Sequence, residues 1–213
     1  MVVLYYSMSQ APHKRFVILM ASPGGGKSTQ ATLLKKKLEE NYSEVAYVTT
    51  GGSFRDFIKG ESFMATRGRE EQNTGGLQPE FLAIWNWTNI FIQQLGENTT
   101  VILDGAPRKV LETEAIHKLF PFLGYTRVDV VYIEVTPSWA KDRQKSREAG
   151  SEEKRTDAST DAEIEKRIDL FYEEILPCIE LFKNDPRYCF ARINGEQSVE
   201  EVHHDILQKI NSI

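Results

Sequence analysis

The stretch Ala21-Ser22-Pro23-Gly24-Gly25-Gly26-Lys27-Ser28-Thr29 follows an apolar run and leads into a segment of helical pattern. Its glycines let the backbone wrap closely around a polyphosphate, whose charge the N–H groups and the helix N-terminus would meet. We expect Lys27 to contact the outer phosphates, and the hydroxyl of Ser28 or Thr29 to face magnesium or phosphate. The usual pattern G-x-x-x-x-G-K-S/T has glycine where this chain has Ala21, which is the mildest replacement. The stretch therefore predicts a phosphate-binding loop between a strand and a helix.

Short β-branched runs alternate along the chain with longer amphipathic segments, a pattern typical of βαβ units. The predicted strands are Phe16–Ala21, Val45–Thr49, Val101–Asp104, Val128–Val135 and Cys189–Asn194. The predicted helices are Lys27–Asn41, Pro79–Leu95, Val110–Phe120, Pro137–Arg147, Asp161–Lys183 and Val199–Asn211. Because these strands are apolar on both faces, we expect a three-layer α/β/α fold around a five-stranded parallel sheet.

The chain is predicted to form one domain, residues 1–213, with two insertions. One insertion is helical, at 50–79, and the other is a short charged loop at 148–160. No internal repeat or linker divides the chain. The long helical pattern from 161 to 183 contains Pro177, which should kink the helix because proline lacks the N–H of the backbone ladder.

The composition excludes several classes of protein. The chain carries 26 Lys and Arg against 31 Asp and Glu, a net charge of −5, with 40% hydrophobic residues. Such an acidic chain is poorly suited to non-specific nucleic-acid binding, which needs many phosphate neutralisations. Two cysteines cannot form a disulfide framework, and no run approaches the roughly 20 apolar residues of a membrane helix. We therefore expect a cytoplasmic protein that binds neither nucleic acid nor a membrane.

Two further segments place polar residues where predicted strands end. Residues 104–108 read Asp-Gly-Ala-Pro-Arg, and residues 49–55 read Thr-Thr-Gly-Gly-Ser-Phe-Arg. A carboxylate at Asp104 can reach the water shell of a metal, and Arg108 can fork onto a phosphate. A phosphate-binding loop alone leaves GTPases, ATPases and small-molecule kinases open. GTPases are disfavoured because no Asn-Lys-x-Asp motif follows.

Taken together, these segments resemble the adenylate kinase family of nucleoside monophosphate (NMP) kinases. That family has the patterns G-x-P-G-x-G-K-G-T-Q, S-T-G-D-x-x-R, G-x-L-V-P and D-G-F/Y-P-R-x-x-x-Q, and this chain has counterparts in the same order. The resemblance implies a monomer that transfers a phosphoryl group from Mg²⁺-ATP to an NMP, with AMP favoured. It makes 50–79 the NMP-binding insertion. The NMP-binding residues that it implies are Thr50, Gly51, Arg55, Gly76, Leu77, Gln78, Gly105, Arg108 and Glu112.

The same resemblance assigns roles to residues around the donor nucleotide. Gly24, Gly25, Gly26, Lys27, Ser28, Thr29, Arg143 and Gln197 would bind ATP, Gln197 through its backbone only. Ser28 and Asp104 would hold Mg²⁺, Asp104 through water. The short loop at 148–160 would be a lid without a zinc-binding insertion. The catalytic residues implied are Lys27, Arg108, Arg147, Arg155 and Arg167.

Three positions around the acceptor base differ from the family. Glu112 stands in place of glutamine, Gln78 in place of valine and Gly52 in place of aspartate. A carboxylate only accepts hydrogen bonds, so Glu112 would oppose adenine N1 and fit guanine better. Two interpretations stay open: acceptor choice is altered, with Gln78 taking over adenine, or Glu112 faces solvent and backbone groups read adenine. Three alternatives for the activity also stay open: a kinase for GMP, CMP or UMP, a kinase for another small acceptor, and a nucleotide-binding homologue with weak or no turnover.

Overall fold

A parallel sheet organises the computed structural model, which describes residues 14–150 and 161–211 and the side chains of 14–145 and 161–210. The strands are β1 Phe16–Ala21, β2 Val45–Thr49, β3 Thr100–Asp104, β4 Val128–Glu134 and β5 Cys189–Asn194. Their order is β2-β3-β1-β4-β5 and all neighbours are parallel. The predicted five-stranded parallel sheet is therefore confirmed.

Helices cover both faces of the sheet. They are α1 Lys27–Leu38, α2 Thr50–Phe57, α3 Phe63–Asn73, α4 Glu80–Gln94, α5 Val110–Leu123, α6 Pro137–Gly150, α7 Asp161–Leu170, α8 Leu176–Lys183 and α9 Val199–Asn211. A π-helical turn, Phe171–Ile175, joins α7 to α8. No helix within these described ranges is both long and apolar enough to cross a membrane.

The core has two parts because residues of a buried strand alternate between faces. Phe16, Ile18 and Met20 of β1 pack with residues of α4, α5 and α8. Val17 and Leu19 pack on the other face with residues of α1 and α9. Two smaller clusters lie outside this core: Phe54 and Ile58 of the insertion pack with Leu82 of α4, and Val135 packs with Ala140 of α6 and with Ile164 and Ile168 of α7. The insertion and the α6–α7 pair are thus packed separately from the sheet.

Two prolines, Pro121 and Pro177, lie within helices. Helix α5 was expected to stop at Phe120, but it runs through Pro121 to Leu123 and ends at Gly124, whose φ of 71° is left-handed. A proline in the last turn removes only one ladder bond, so the helix tolerates it. The second proline, Pro177, stands in the first turn of α8, directly after the π turn. The helix widens into the π turn just before it, where the N–H of Leu176 bonds to the carbonyl of Phe171.

The register of the sheet brings the ends of three strands to one place. Asp104 at the end of β3 pairs with Leu19 of β1 and with Thr49 of β2. The phosphate-binding loop and α2 follow β1 and β2 directly. In open α/β sheets ligands bind outside the carboxyl ends of the strands. The predicted site therefore lies at this edge of the sheet.

Candidate active site

The loop after β1 has the backbone of a phosphate cradle. Gly24 and Gly26 have φ of 78° and 75°, which only glycine adopts readily. A Cβ at Gly24 would lie 3.1 Å from the carbonyl oxygen of Ala140, so the loop is also closely packed. Helix α1 has no side-chain cap and no acidic residue in its first turn. The N–H groups and the positive end of the helix dipole are thus arranged to bind an anion.

Lys27 and Asp104 form an ion pair across the base of this loop. The Lys27 Nζ lies 2.6 Å from Asp104 Oδ1, and the hydroxyl of Tyr47 donates to Oδ2 at 2.7 Å. Burial raises the pKa of Asp104, but Lys27, Tyr47 and Arg108 together hold it below its ordinary value. Burial and the neighbouring carboxylate raise the pKa of Tyr47. Asp104 is therefore ionised at neutral pH although it is buried.

One backbone carbonyl joins the two sides of the cleft. The Gly105 oxygen accepts hydrogen bonds from the Thr50 hydroxyl and from Arg108 Nε, each at 2.9 Å. Gly105 has a φ of 96°, and a Cβ there would come within 2.5 Å of Thr50 Oγ1. A small cavity of about 30 Å³ lies beside these groups and is lined by the end of β1, Lys27, residues 105–108 and Ile175. The structure thus brings the predicted Lys27, Asp104, Arg108 and Thr50 together.

The start of α2 is held by a network that the sequence analysis missed. The buried amide of Asn86 donates to the Thr50 carbonyl at 2.9 Å and accepts from the Ser53 hydroxyl at 2.8 Å. Arg55 folds back over Gly51, with Nη1 3.4 Å from the place of a Cβ there. In the sequence, Asn86 could have been found as a polar residue within the apolar segment 80–94. Tyr47 could have been found from the alternation of side chains along its strand, which places it on one face of the sheet.

The loop of Gly76, Leu77 and Gln78 lies next to α3. Gln78 donates from Nε2 to the carbonyl of Gly68 at 3.2 Å, while its buried Oε1 has no hydrogen-bond partner among the described residues. A Cβ at Gly76 would lie 3.0 Å from Glu71 Oε1, so this turn is tightly packed as well. The side chain of Gln78 is thus directed into the insertion.

Glu112 does not face solvent, so the structure contradicts one of the two interpretations left open for this residue. Its side chain is 2% exposed, and Oε1 accepts the backbone N–H of Arg108 at 3.1 Å. Burial raises the pKa of Glu112, and the N–H and charge of Arg108 partly oppose this effect. The physical reason is position: Glu112 stands in the first turn of α5 and turns back to the N-terminus of that helix.

The remaining predicted residues lie on the donor side. Arg143 contacts the loop, with Cβ 3.4 Å from the place of a Cβ at Gly24. Arg167 is half-buried on α7. Gln197 donates to the Asn194 carbonyl at 2.9 Å and to Asp205 at 3.0 Å, so its side chain bonds within the protein. Arg155 and the side chain of Arg147, with most of the predicted lid, lie outside the described residues.

Fold and cleft together define a P-loop protein of the kinase-like class. The family model described as Zeta toxin matches residues 5–181, and the chain belongs to this family. It is also 27% identical to an adenylate kinase of Stenotrophomonas maltophilia, over 91% of this chain and 98% of that protein. Adenylate kinase 1 of a Nostoc species is 26% identical, over 92% and 98%. The predicted resemblance is confirmed, and together these likenesses support a nucleotide kinase.

Proposed function

We propose that the protein is an NMP kinase, which transfers the terminal phosphoryl group of Mg²⁺-ATP to an NMP, with AMP favoured, and releases two nucleoside diphosphates. The observation that carries this proposal is the shared carbonyl of Gly105, which fixes Thr50 and Arg108 beside the Lys27–Asp104 pair. Cationic groups from the donor loop and from the acceptor segments thereby face one cleft. A simple ATPase has no need of the second set.

Phosphoryl transfer asks the protein mainly for alignment and neutralisation of charge. In the proposed reaction an oxygen of the acceptor phosphate attacks the γ-phosphorus, and the bond to the β–γ bridging oxygen breaks. Lys27 would leave Asp104 for the outer phosphates, while Arg108 binds both the acceptor phosphate and the group in transit. Arg55 and Thr50 would bind the acceptor. No general base is required, because the attacking phosphate oxygen is already ionised.

The residues present fit Mg²⁺. This ion prefers hard oxygen ligands and usually keeps several waters beside substrate phosphates. Asp104 is ionised, and the Ser28 hydroxyl lies in the first turn of α1. No group of three His, Cys, Asp or Glu side chains that could hold a metal occurs within 14–150 and 161–211. An ion bound beside Asp104 and Ser28 would be held mainly by nucleotide and water and would neutralise phosphate charge.

The lid arginines extend the proposal. Arg147, Arg155 and Arg167 would close over the transferring group, and Arg143 would stack on the donor base. Closure would exclude water, which otherwise hydrolyses the nucleotide. We further propose that the protein acts as a cytoplasmic monomer and that the lid comprises residues 148–160.

The test is steady-state phosphoryl transfer from ATP to AMP, GMP, CMP and UMP, with Lys27→Met and a matched control. Lys36→Met makes the same change on an exposed part of α1. We expect Lys27→Met to lower kcat by at least about 100-fold, the cost of losing one transition-state donor, and Lys36→Met to change it less than twofold. If none of the four NMPs is phosphorylated while a bisubstrate adenine dinucleotide binds tightly, the protein has a nucleotide-binding role and the proposal is wrong.

A further inference from the structure

Glu112 is a buried carboxylate beside the arginine to which the proposed function assigns the acceptor phosphate. Its Oε1 accepts the N–H of Arg108 at 3.1 Å, and its side chain is 2% exposed. Arg108 is fixed a second time by the bond from its Nε to the Gly105 carbonyl. One contact therefore holds the backbone of Arg108, and the other directs its side chain.

The groups around Glu112 are N–H donors, which require a hydrogen-bond acceptor. Lys109 precedes α5, and its side chain does not cap the helix. The backbone N–H of Lys109 also lies near the carboxylate of Glu112. The indole of Trp87 on α4 is close enough to lower the pKa of Glu112, although its N–H makes no well-formed hydrogen bond among the described residues. A carboxylate accepts through both oxygens and donates nothing, so it suits this set of N–H groups better than an amide does.

We propose that Glu112 is a positioning residue that holds the backbone of Arg108 for phosphate binding, and that it does not read the acceptor base. The inference rests on the proposed function for the role of Arg108. For Glu112 to reach a base, its carboxylate would have to leave the interior and abandon the N–H of Arg108. In this proposal the acceptor base is recognised by groups of the insertion at 50–79 and not by Glu112.

The first test is Glu112→Gln, assayed with AMP, GMP, CMP and UMP. The variant keeps one accepting oxygen but turns an amide NH₂ toward N–H groups. We expect kcat/KM to fall about 5- to 10-fold for every acceptor, because a neutral amide oxygen accepts a weaker hydrogen bond than a carboxylate does, with the ratios among acceptors unchanged. Glu114→Gln is the matched control, since Glu114 is exposed on the same helix.

The second test is a double-mutant cycle with Arg108→Lys, which removes bidentate phosphate binding. If Glu112 acts through Arg108, the two changes are not additive: Glu112→Gln should cost less than about twofold once Arg108 is already lysine. The cycle is measured on kcat/KM and also on affinity for a bisubstrate adenine dinucleotide, so it does not depend on detectable turnover. A general structural role would give an additive cycle.

Circular dichroism at the assay temperature checks that each variant is folded, and Glu112→Asp replaces Glu112→Gln if the latter is unfolded. A change of more than tenfold in the ratio of AMP to GMP would overturn the inference, as would an additive cycle. An inactive wild-type protein that still binds the dinucleotide would instead refute the proposed function, and the binding cycle would then decide the role of Glu112.

Discussion

Asn86 should hold the acceptor side of the cleft in place. Its amide is 3% exposed and bonds to the Thr50 carbonyl and the Ser53 hydroxyl, at 2.9 and 2.8 Å. Thr50 in turn donates to the Gly105 carbonyl. Replacing Asn86 with leucine keeps the number and branching of the side-chain heavy atoms but removes both bonds. The first turn of α2 then loses its attachment to α4.

The expected loss of stability depends on the two groups that lose a hydrogen-bond partner, the Thr50 carbonyl and the Ser53 hydroxyl. The Thr50 carbonyl stays buried without this partner, which costs about 1–3 kcal/mol, whereas the half-buried Ser53 can reach water and loses about 0.5–1 kcal/mol. Leucine recovers part of this loss by its greater burial of apolar surface. We expect a net loss of about 2 kcal/mol in the free energy of unfolding.

Urea unfolding and steady-state kinetics measure this prediction. We expect Asn86→Leu to raise KM for AMP about 5- to 10-fold, because Thr50 loses its orientation, and to change KM for ATP less than twofold. Asn89→Leu is the control, since Asn89 on the same helix accepts from the exposed Gln93 at 3.3 Å. Equal stability of the two variants would refute the reasoning.

Three further changes test other parts of the structure. Asp104→Asn should lower kcat by about 100-fold or more by removing a charge that orders Lys27 and Mg²⁺. The folded-state pKa of Asp104 is depressed, so its contribution to stability is present above the unfolded pKa and is lost as pH falls through the folded pKa. In unfolding measured against pH, the free energy of unfolding of the variant should therefore fall less at acid pH than that of the wild type. Gly105→Ala should cost about 1–3 kcal/mol in thermal unfolding, since its Cβ would lie 2.5 Å from Thr50 Oγ1; unchanged stability would contradict the crowding argument. Asp129→Asn leaves two arginines facing a neutral amide near the opposite edge of the sheet. It should cost about 3 kcal/mol in urea unfolding without changing KM for ATP or AMP, and a shifted KM would contradict its purely structural role.

The fold was predictable because buried parallel strands have a strong local signature. The bounds of Phe16–Ala21, Val45–Thr49 and Cys189–Asn194 agree with the sequence prediction, and the other two strands differ by one residue at one end. Where prolines stand, local pattern was insufficient. Pro121 does not end α5, because the left-handed Gly124 that terminates it lies three residues later.

The site was predictable only in part. Glycines, Lys27 and Arg108 stand in a linear order that can be read along the chain. Tyr47 reaches Asp104 because of the sheet register, and Asn86 reaches Thr50 because of the packing of α4. No short sequence motif indicates either contact. The start of α5 at Val110 was predicted, but the direction of Glu112 was not, because it depends on the backbone N–H of Arg108 that the carboxylate meets.

Analysis of the reaction products is the decisive measurement of phosphoryl transfer between nucleotides by this chain. ATP, Mg²⁺ and AMP are incubated with the protein, and nucleotides and inorganic phosphate are separated and counted. We expect two molecules of ADP for each ATP consumed, no release of inorganic phosphate, and loss of the reaction in Lys27→Met. ATP consumption that releases phosphate at a rate independent of AMP, GMP, CMP and UMP would contradict this expectation.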